Sequence, residues 1–254
     1  MGKRFFLVVT ALLLSVLLLG FSKGEESSDI DIFNYNPTES ERESIIQELE
    51  GMLEDVEQLD SKEIPFELEL NVTNEGEKGV PDFVNLPTQA ATKEIGTAVD
   101  EDGDEVTLYA SILSGSLTSS STGSDYRDYG HRITQNHYLE WYRKHSNNQW
   151  YQRLHYQRGN WNRTTSAFTV RNVEFYHGQQ GRTETGSFYT CTRDYWNISS
   201  ISFSGNNSQT YARYLPCNTF SEENASNNAS RLTSDIYYNG RLVRSGFRNF
   251  VRPY

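Results

Sequence analysis

Residues 138–156 read YLEWYRKHSNNQWYQRLHY, and how this stretch folds decides the architecture. A two-residue turn at Asn147-Asn148 makes it a β-hairpin, because Asn tolerates the left-handed backbone such turns need. Trp141 then pairs with Leu154, Leu139 with Tyr156, Glu140 with His155, Tyr142 with Arg153 and Lys144 with Tyr151. Strand side chains alternate between faces. Leu139, Trp141, Trp150, Leu154 and Tyr156 therefore share a face that reads as core. Tyr138, Glu140, Tyr142, Tyr151, Arg153 and His155 share the other, which reads as a wet surface.

Similar alternating stretches recur on both sides of this hairpin. Candidate strands span 133–144, 149–157, 165–176, 183–192, 197–204, 209–215, 232–238 and 241–251. Many short strands with turn residues between them predict an antiparallel β-sandwich or barrel-like domain. Asn239-Gly240 marks a second hairpin, pairing Ile236 with Val243, Tyr237 with Leu242 and Asp235 with Arg244. Phe247, Phe250 and Val251 continue that last strand into the core. Cys191 and Cys217, 26 positions apart, are expected to form a disulfide. Closing a loop of that size contributes about 3.5 kcal/mol on the chain-entropy estimate.

The chain divides by charge. Residues 1–124 carry 7 basic and 25 acidic side chains, a net of −18, whereas residues 125–254 carry 16 and 9, a net of +7. Lys3 and Arg4 precede an apolar run from Phe5 to Phe21, the pattern of an export signal, with small residues that permit cleavage before Lys23 or Glu25. Three segments follow: 1–24, a signal peptide or uncleaved anchor; 25–124, an acidic α/β segment; and 125–254, a basic, aromatic-rich β domain. No Cys lies near the signal, which excludes a lipoprotein anchor. The expected location is secreted or cell surface, with membrane attachment only if the N-terminal segment is retained.

Within the acidic segment, Ile45, Ile46, Leu49, Met52, Leu53, Val56 and Leu59 form one helical stripe from Thr38 to about Leu59, with Thr38 and Glu41 as a capping box. Residues 66–72 alternate as a strand. Residues 95–99 and 106–113 flank an acidic turn at Asp102-Gly103. That turn departs from a calcium loop, with Gly at position 4 rather than 6 and Ser111 where the closing Glu belongs. The serine-rich stretch Ser114–Ser124 reads as a linker. Six Asn-x-Ser/Thr sequons are little above the chance number.

There is no Gly-x-Ser-x-Gly elbow, phosphate loop, dinucleotide fingerprint or His-Glu-x-x-His helix, so no cofactor or metal is called for. Fifteen of the sixteen bases after residue 124 are Arg, whose planar fork suits phosphate, sulfate and carboxylate, while Tyr and Trp stack on sugars or bases. The preferred expectation is an exported, non-enzymatic binding protein using Tyr138, Tyr142, Tyr151, Arg153 and His155. Its partner would be an anionic polymer, a glycan or a surface protein. The alternatives are a secreted hydrolase, a nuclease or glycan-cleaving enzyme with Glu140 and His155 as acid and base, and a purely structural surface protein. The opposite charges of the two halves also allow the acidic one to cover the basic one.

Overall fold

Asn147 and Asn148 have φ of 50° and 60°, and Asn239 and Gly240 have φ of 49° and 76°. Both pairs occupy the left-handed region that a type I′ hairpin turn requires. The computed structural model describes residues 37–54, 66–68, 83–100, 102–119, 130–205, 207–223 and 228–253. The N-terminal apolar run, the sequons at Asn71, Asn206 and Asn224, and the helical stripe beyond Glu54 lie outside them. One helix, α1 (Glu39–Glu54), precedes strands β1 (Phe66–Leu68), β2 (Phe83–Val99), β3 (Glu105–Ser119), β4 (Arg132–Ser146), β5 (Gln149–Arg163), β6 (Phe168–Arg182), β7 (Phe188–Ser200), β8 (Ser208–Tyr214), β9 (Ser221–Glu222), β10 (Ala229–Tyr238) and β11 (Arg241–Pro253).

The protein is mainly β, as expected, and its strands form two antiparallel sheets. One runs β1-β11-β10-β6-β7; the other runs β2-β3-β4-β5-β8, with β9 also on β5. The sheets meet face to face. Leu117, Ile133 and Trp161 of the second sheet pack with Phe168, Val173, Phe175, Leu232, Ile236 and Phe247 of the first. β3 pairs with β4 from Val106↔Lys144 to Thr118↔Arg132, so strands from both sides of the compositional divide share one sheet. By its contacts, Asn36–Tyr254 forms one compact unit.

The central hairpin keeps the expected register at Trp141↔Leu154, Tyr142↔Arg153 and Lys144↔Tyr151. Below it an extra residue enters β5, so that Glu140 pairs with Tyr156 and Leu139 with Gln157. His155 is the bulged residue, and the slip moves Tyr156 from the expected core face to the opposite one. A bulge likewise shifts the last hairpin, where Ile236 pairs with Arg244 rather than Val243. The Asp235 carboxylate instead accepts from the Gly246 N–H at 2.8 Å and the Ser245 hydroxyl at 3.1 Å.

Two further expectations change. Ser114 to Ser119 belong to β3 rather than to a linker. Small residues are needed there because the other sheet comes close: a Cβ on Gly115 would meet the Phe247 ring at 3.0 Å. The acidic turn is one residue longer than the Asp102-Gly103 pair implied. Asp100 N–H bonds to Asp104 C=O at 2.9 Å, and Gly103 sits at φ +86°, the three-residue loop that closes on a left-handed glycine. Cys191 and Cys217 are bonded, with sulfurs 2.08 Å apart.

A polar layer crosses the core between the sheets. Gln135 Oε1 accepts from Trp161 Nε1 at 2.9 Å and from the Ser234 hydroxyl at 2.6 Å. Asn249 Nδ2 donates to the Leu113 and Gln135 carbonyls, both at 2.9 Å. The Ser230 hydroxyl donates to Gln157 Oε1 at 2.9 Å and lies 3.0 Å from His137 Nε2. One hydroxyl has one proton to give, so His137 Nε2–H is the donor in that second contact.

Two predictions follow from this core. A Cβ on Gly159 would lie 2.7 Å from Phe175 Cζ and 2.9 Å from Leu232 Cδ2, whereas one on Gly51 of α1 meets nothing within 4 Å. Gly159→Ala should cost about 1–3 kcal/mol in denaturant unfolding, and Gly51→Ala should be neutral or slightly stabilising. Equal effects would contradict the close approach. Burial pushes His137 down to about 3 from 6.5. An unfolded chain binds a proton there between those values and the folded chain does not. Stability is therefore complete above pH 6.5 and falls on acidification, by up to about 1.4 kcal/mol per pH unit. His137→Gln should flatten that acid limb in urea melts between about pH 4 and 6.

Candidate functional site

The face of β4 and β5 that points away from the sandwich carries the five residues singled out from sequence, and it brings Tyr142, Arg153 and His155 into contact, while Tyr138 and Tyr151 stand six ladder positions apart. That face is not wet. Tyr138, Tyr142 and Tyr151 are buried, at 2%, 0% and 4% exposure, and Glu140 is fully buried. Arg153 and His155 are half-buried. Arg153 lies over the Tyr142 ring at 4.2 Å and the Phe220 ring at 5.3 Å. Trp150, expected in the core, is 44% exposed beneath the Arg143 guanidinium at 4.0 Å.

The cover is α1. Thr38 and Glu41 form the expected capping box, with Thr38 N–H donating to Glu41 Oε2 at 2.7 Å and Glu41 N–H to Thr38 Oγ1 at 3.3 Å. The Thr38 N–H and hydroxyl, both donating to the Glu41 carboxylate, hold that carboxyl below its ordinary value. From that start the helix lays Ile46, Leu49 and Leu53 on Ala91, Ala110, Ile112, Tyr138 and Tyr156. Burying each aliphatic side chain contributes about 2 kcal/mol. Met52, on the expected stripe, stays 42% exposed at its margin.

Charge complements the apolar contact. Arg42 Nε donates to Glu140 Oε1 at 2.7 Å and Nη2 to Glu140 Oε2 at 3.3 Å, with both side chains almost wholly buried. Tyr138 donates its hydroxyl to Glu140 Oε1 at 3.0 Å. Burial pushes the Glu140 carboxyl up, while Arg42 pulls it back. Burial also pushes Tyr156 up to about 12. In the same first turns of the helix, Arg158 donates to Glu39 at 3.1 Å and Glu43 at 2.7 Å, and further along Lys93 pairs with Glu48. The acidic segment thus lies on the basic one through this helix.

Between α1 and the sheet lies a groove of about 390 Å³. Glu43, Ile46 and Glu50 line it from the helix. Asn136, Tyr138, Arg158, Asn160, Asn162, Ser208 and Thr210 are among those lining it from β4, β5 and β8. Three rows of cross-strand partners set this wall: Asn136↔Asn160↔Thr210, Thr134↔Asn162↔Ser208 and Tyr138↔Arg158↔Ala212. Asn160 Nδ2 donates to Thr210 Oγ1 at 2.9 Å and Ser208 Oγ at 3.1 Å. Asn136 Nδ2 donates to Glu50 Oε1 at 3.1 Å, but its buried Oδ1 has no hydrogen-bond partner among the described residues. Apart from Tyr138, sequence reasoning missed these residues because they converge from four separate segments. Arg42 did leave a signal, as the single base between Lys23 and Lys62.

The proposed acid–base pair is separated by 3.9 Å from His155 Nε2 to Glu140 Oε2. Both Glu140 oxygens are already engaged by Arg42. A second cluster, His177 with Cys191 and Cys217, offers its sulfurs as a disulfide. The acidic turn serves its own hairpin and partner strand: Asp100 accepts from Lys144 at 2.9 Å and from its own loop. Among the sequons, Asn162 and Asn197 are exposed and Asn228 is fully buried.

Removing one partner of a buried ion pair leaves the other charged and unpaired, at a cost of about 3–5 kcal/mol. Glu140→Gln should lose that much in denaturant unfolding, and adding Arg42→Met should recover a large part. A double variant as unstable as the single one would show that the pair does not anchor the helix. No protein-family model matches the chain, and neither a curated protein nor a solved structure matches it.

Proposed function

We propose that the protein is exported and acts as a non-enzymatic binding protein at the cell surface or beyond it, taking a glycan in the groove between α1 and the sheet. The observation that carries this reading is the Asn136 side chain, which lines the groove with an unsatisfied buried Oδ1. Buried polar groups in folded proteins nearly always have partners, so an orphan beside a groove favours a ligand donor or a water there. Amide, hydroxyl and carboxylate groups alternate along the walls. They match the donors and acceptors of a sugar, and Tyr138 offers a ring edge or face.

The charge of the groove narrows the ligand. Its one basic side chain, Arg158, is already shared between Glu39 and Glu43. A neutral glycan therefore fits better than an anionic polymer. The signal-like N-terminus and the disulfide support export, since such bonds persist in oxidising compartments. No helix among the described residues is long and apolar enough to cross a membrane.

A glycan array, followed by titration calorimetry, tests the reading on protein made without glycosylation, since Asn162 stands at the groove. Asn160→Ala should weaken a detected sugar about 5–10-fold, the worth of one or two hydrogen bonds, and barely change the melting temperature. Undiminished binding by that variant would place the ligand elsewhere. Absence of any sugar binding at millimolar concentration would retire the reading.

A further inference from the structure

The side chain that holds α1 to the sheet is treated as a ligand would be. The Arg42 guanidinium lies 3.9 Å from the centroid of the Tyr156 ring and 5.0 Å from that of Tyr214. These two rings stand at 64° to each other, 5.2 Å apart, so they form two walls of a box. Glu140 closes the box with a carboxylate that takes two N–H groups of the same guanidinium. Tyr138 donates to that carboxylate and sets its orientation. A third N–H reaches the Pro37 carbonyl at 3.0 Å.

Each part addresses a different property of the occupant. The carboxylate reads the planar fork, the rings read the cationic face, and burial of the anion demands a full positive charge. An ammonium group would satisfy the last two but not the first. All four reading groups stand on the six-stranded sheet, Tyr138 and Glu140 on β4, Tyr156 on β5 and Tyr214 at the end of β8. The occupant comes from a separate element. Beyond Arg42 and a short apolar stripe, α1 is held to the sheet largely by carboxylates that remain well exposed: 66% for Glu39, 44% for Glu43 and 52% for Glu48. Ion pairs of that kind contribute little in water.

We propose that Glu140, Tyr138, Tyr156 and Tyr214 form a receptor site for a guanidinium group, that Arg42 is its resident occupant, and that an arginine side chain or small guanidinium compound binds there in competition with α1. The site shares Tyr138 with the sugar groove but does not rest on the glycan reading. Occupation from outside requires α1 to lift, which also removes the helix wall of the groove. The two ligands would therefore oppose each other. The tethered Arg42 competes at an effective concentration of millimolar or more, so a free ligand binds the native chain weakly and a chain lacking the Arg42 side chain much better.

The test is chemical rescue on the full chain. Arg42→Ala empties the site, and agmatine and N-acetylargininamide supply the guanidinium as a free amine and as a peptide-like residue. With a Kd of ~1 mM, ~10 mM of either compound should raise the melting temperature of Arg42→Ala by about 3 °C. Arg42→Ala combined with Glu140→Gln should show no such rise, nor should butylamine at the same concentration produce one. A rise that survives loss of Glu140, or no rise with either guanidinium, overturns the proposal. If Arg42→Ala does not fold, hydrogen exchange on the native chain decides. Agmatine at ~100 mM should accelerate exchange across Glu39–Glu54 several-fold over the same ionic strength of sodium chloride. Unchanged exchange overturns the proposal equally.

Discussion

A carboxylate sealed beneath a helix needs a cation, and the outer face of this protein is organised around that need. Glu140 stands on β4 with no exposure to water. Left alone it would be neutral or would draw solvent in. Arg42 answers it from a helix that is otherwise acidic, which explains why the single base of that region is placed where it is. The apolar stripe of α1 supplies adhesion, but it is compatible with several positions along the sheet. The two-pronged bond between Arg42 and Glu140 selects one. The groove lies beside this bond, with Glu43, Ile46 and Glu50 of the same helix as one wall.

What could be read in the sequence was local. Both type I′ turns were legible because Asn147-Asn148 and Asn239-Gly240 are residues that accept positive φ, and the strands extend from them. The capping box at Thr38 and the disulfide were legible for the same reason, since each depends on a short pattern or on a count of two. Register beyond the turns was not. His155 and Val243 look like ordinary alternating residues, and only tertiary packing makes the chain bulge there. Tyr156 changed faces as a result.

Long-range cover was the larger gap. The residues 138, 140 and 142 were correctly grouped, but Tyr, Glu and Tyr on one face look polar enough for water. What buries Tyr138 and Glu140 is a helix about a hundred positions earlier, while Tyr142 lies against Phe220, and the charge imbalance between the halves and the lone Arg42 were the helix's traces. The groove was invisible because Asn136, Asn160 and Thr210 align only once β4, β5 and β8 are side by side. The Ser114–Ser119 stretch misled in the opposite direction. Its small side chains serve close approach of two layers, and composition alone does not separate that use from a linker.

The Cys191–Cys217 bond joins β7 to the chain just past β8. Each of those strands is the outermost of its own sheet. The covalent link therefore runs down one border of the sandwich like the spine of a book. The opposite border, where β1 and β2 end the two layers, carries no such link among the described residues, and β1 is three residues long. In the oxidised protein the spine is stitched by a covalent bond, and a reductant cuts the stitch without touching the ladders of either leaf.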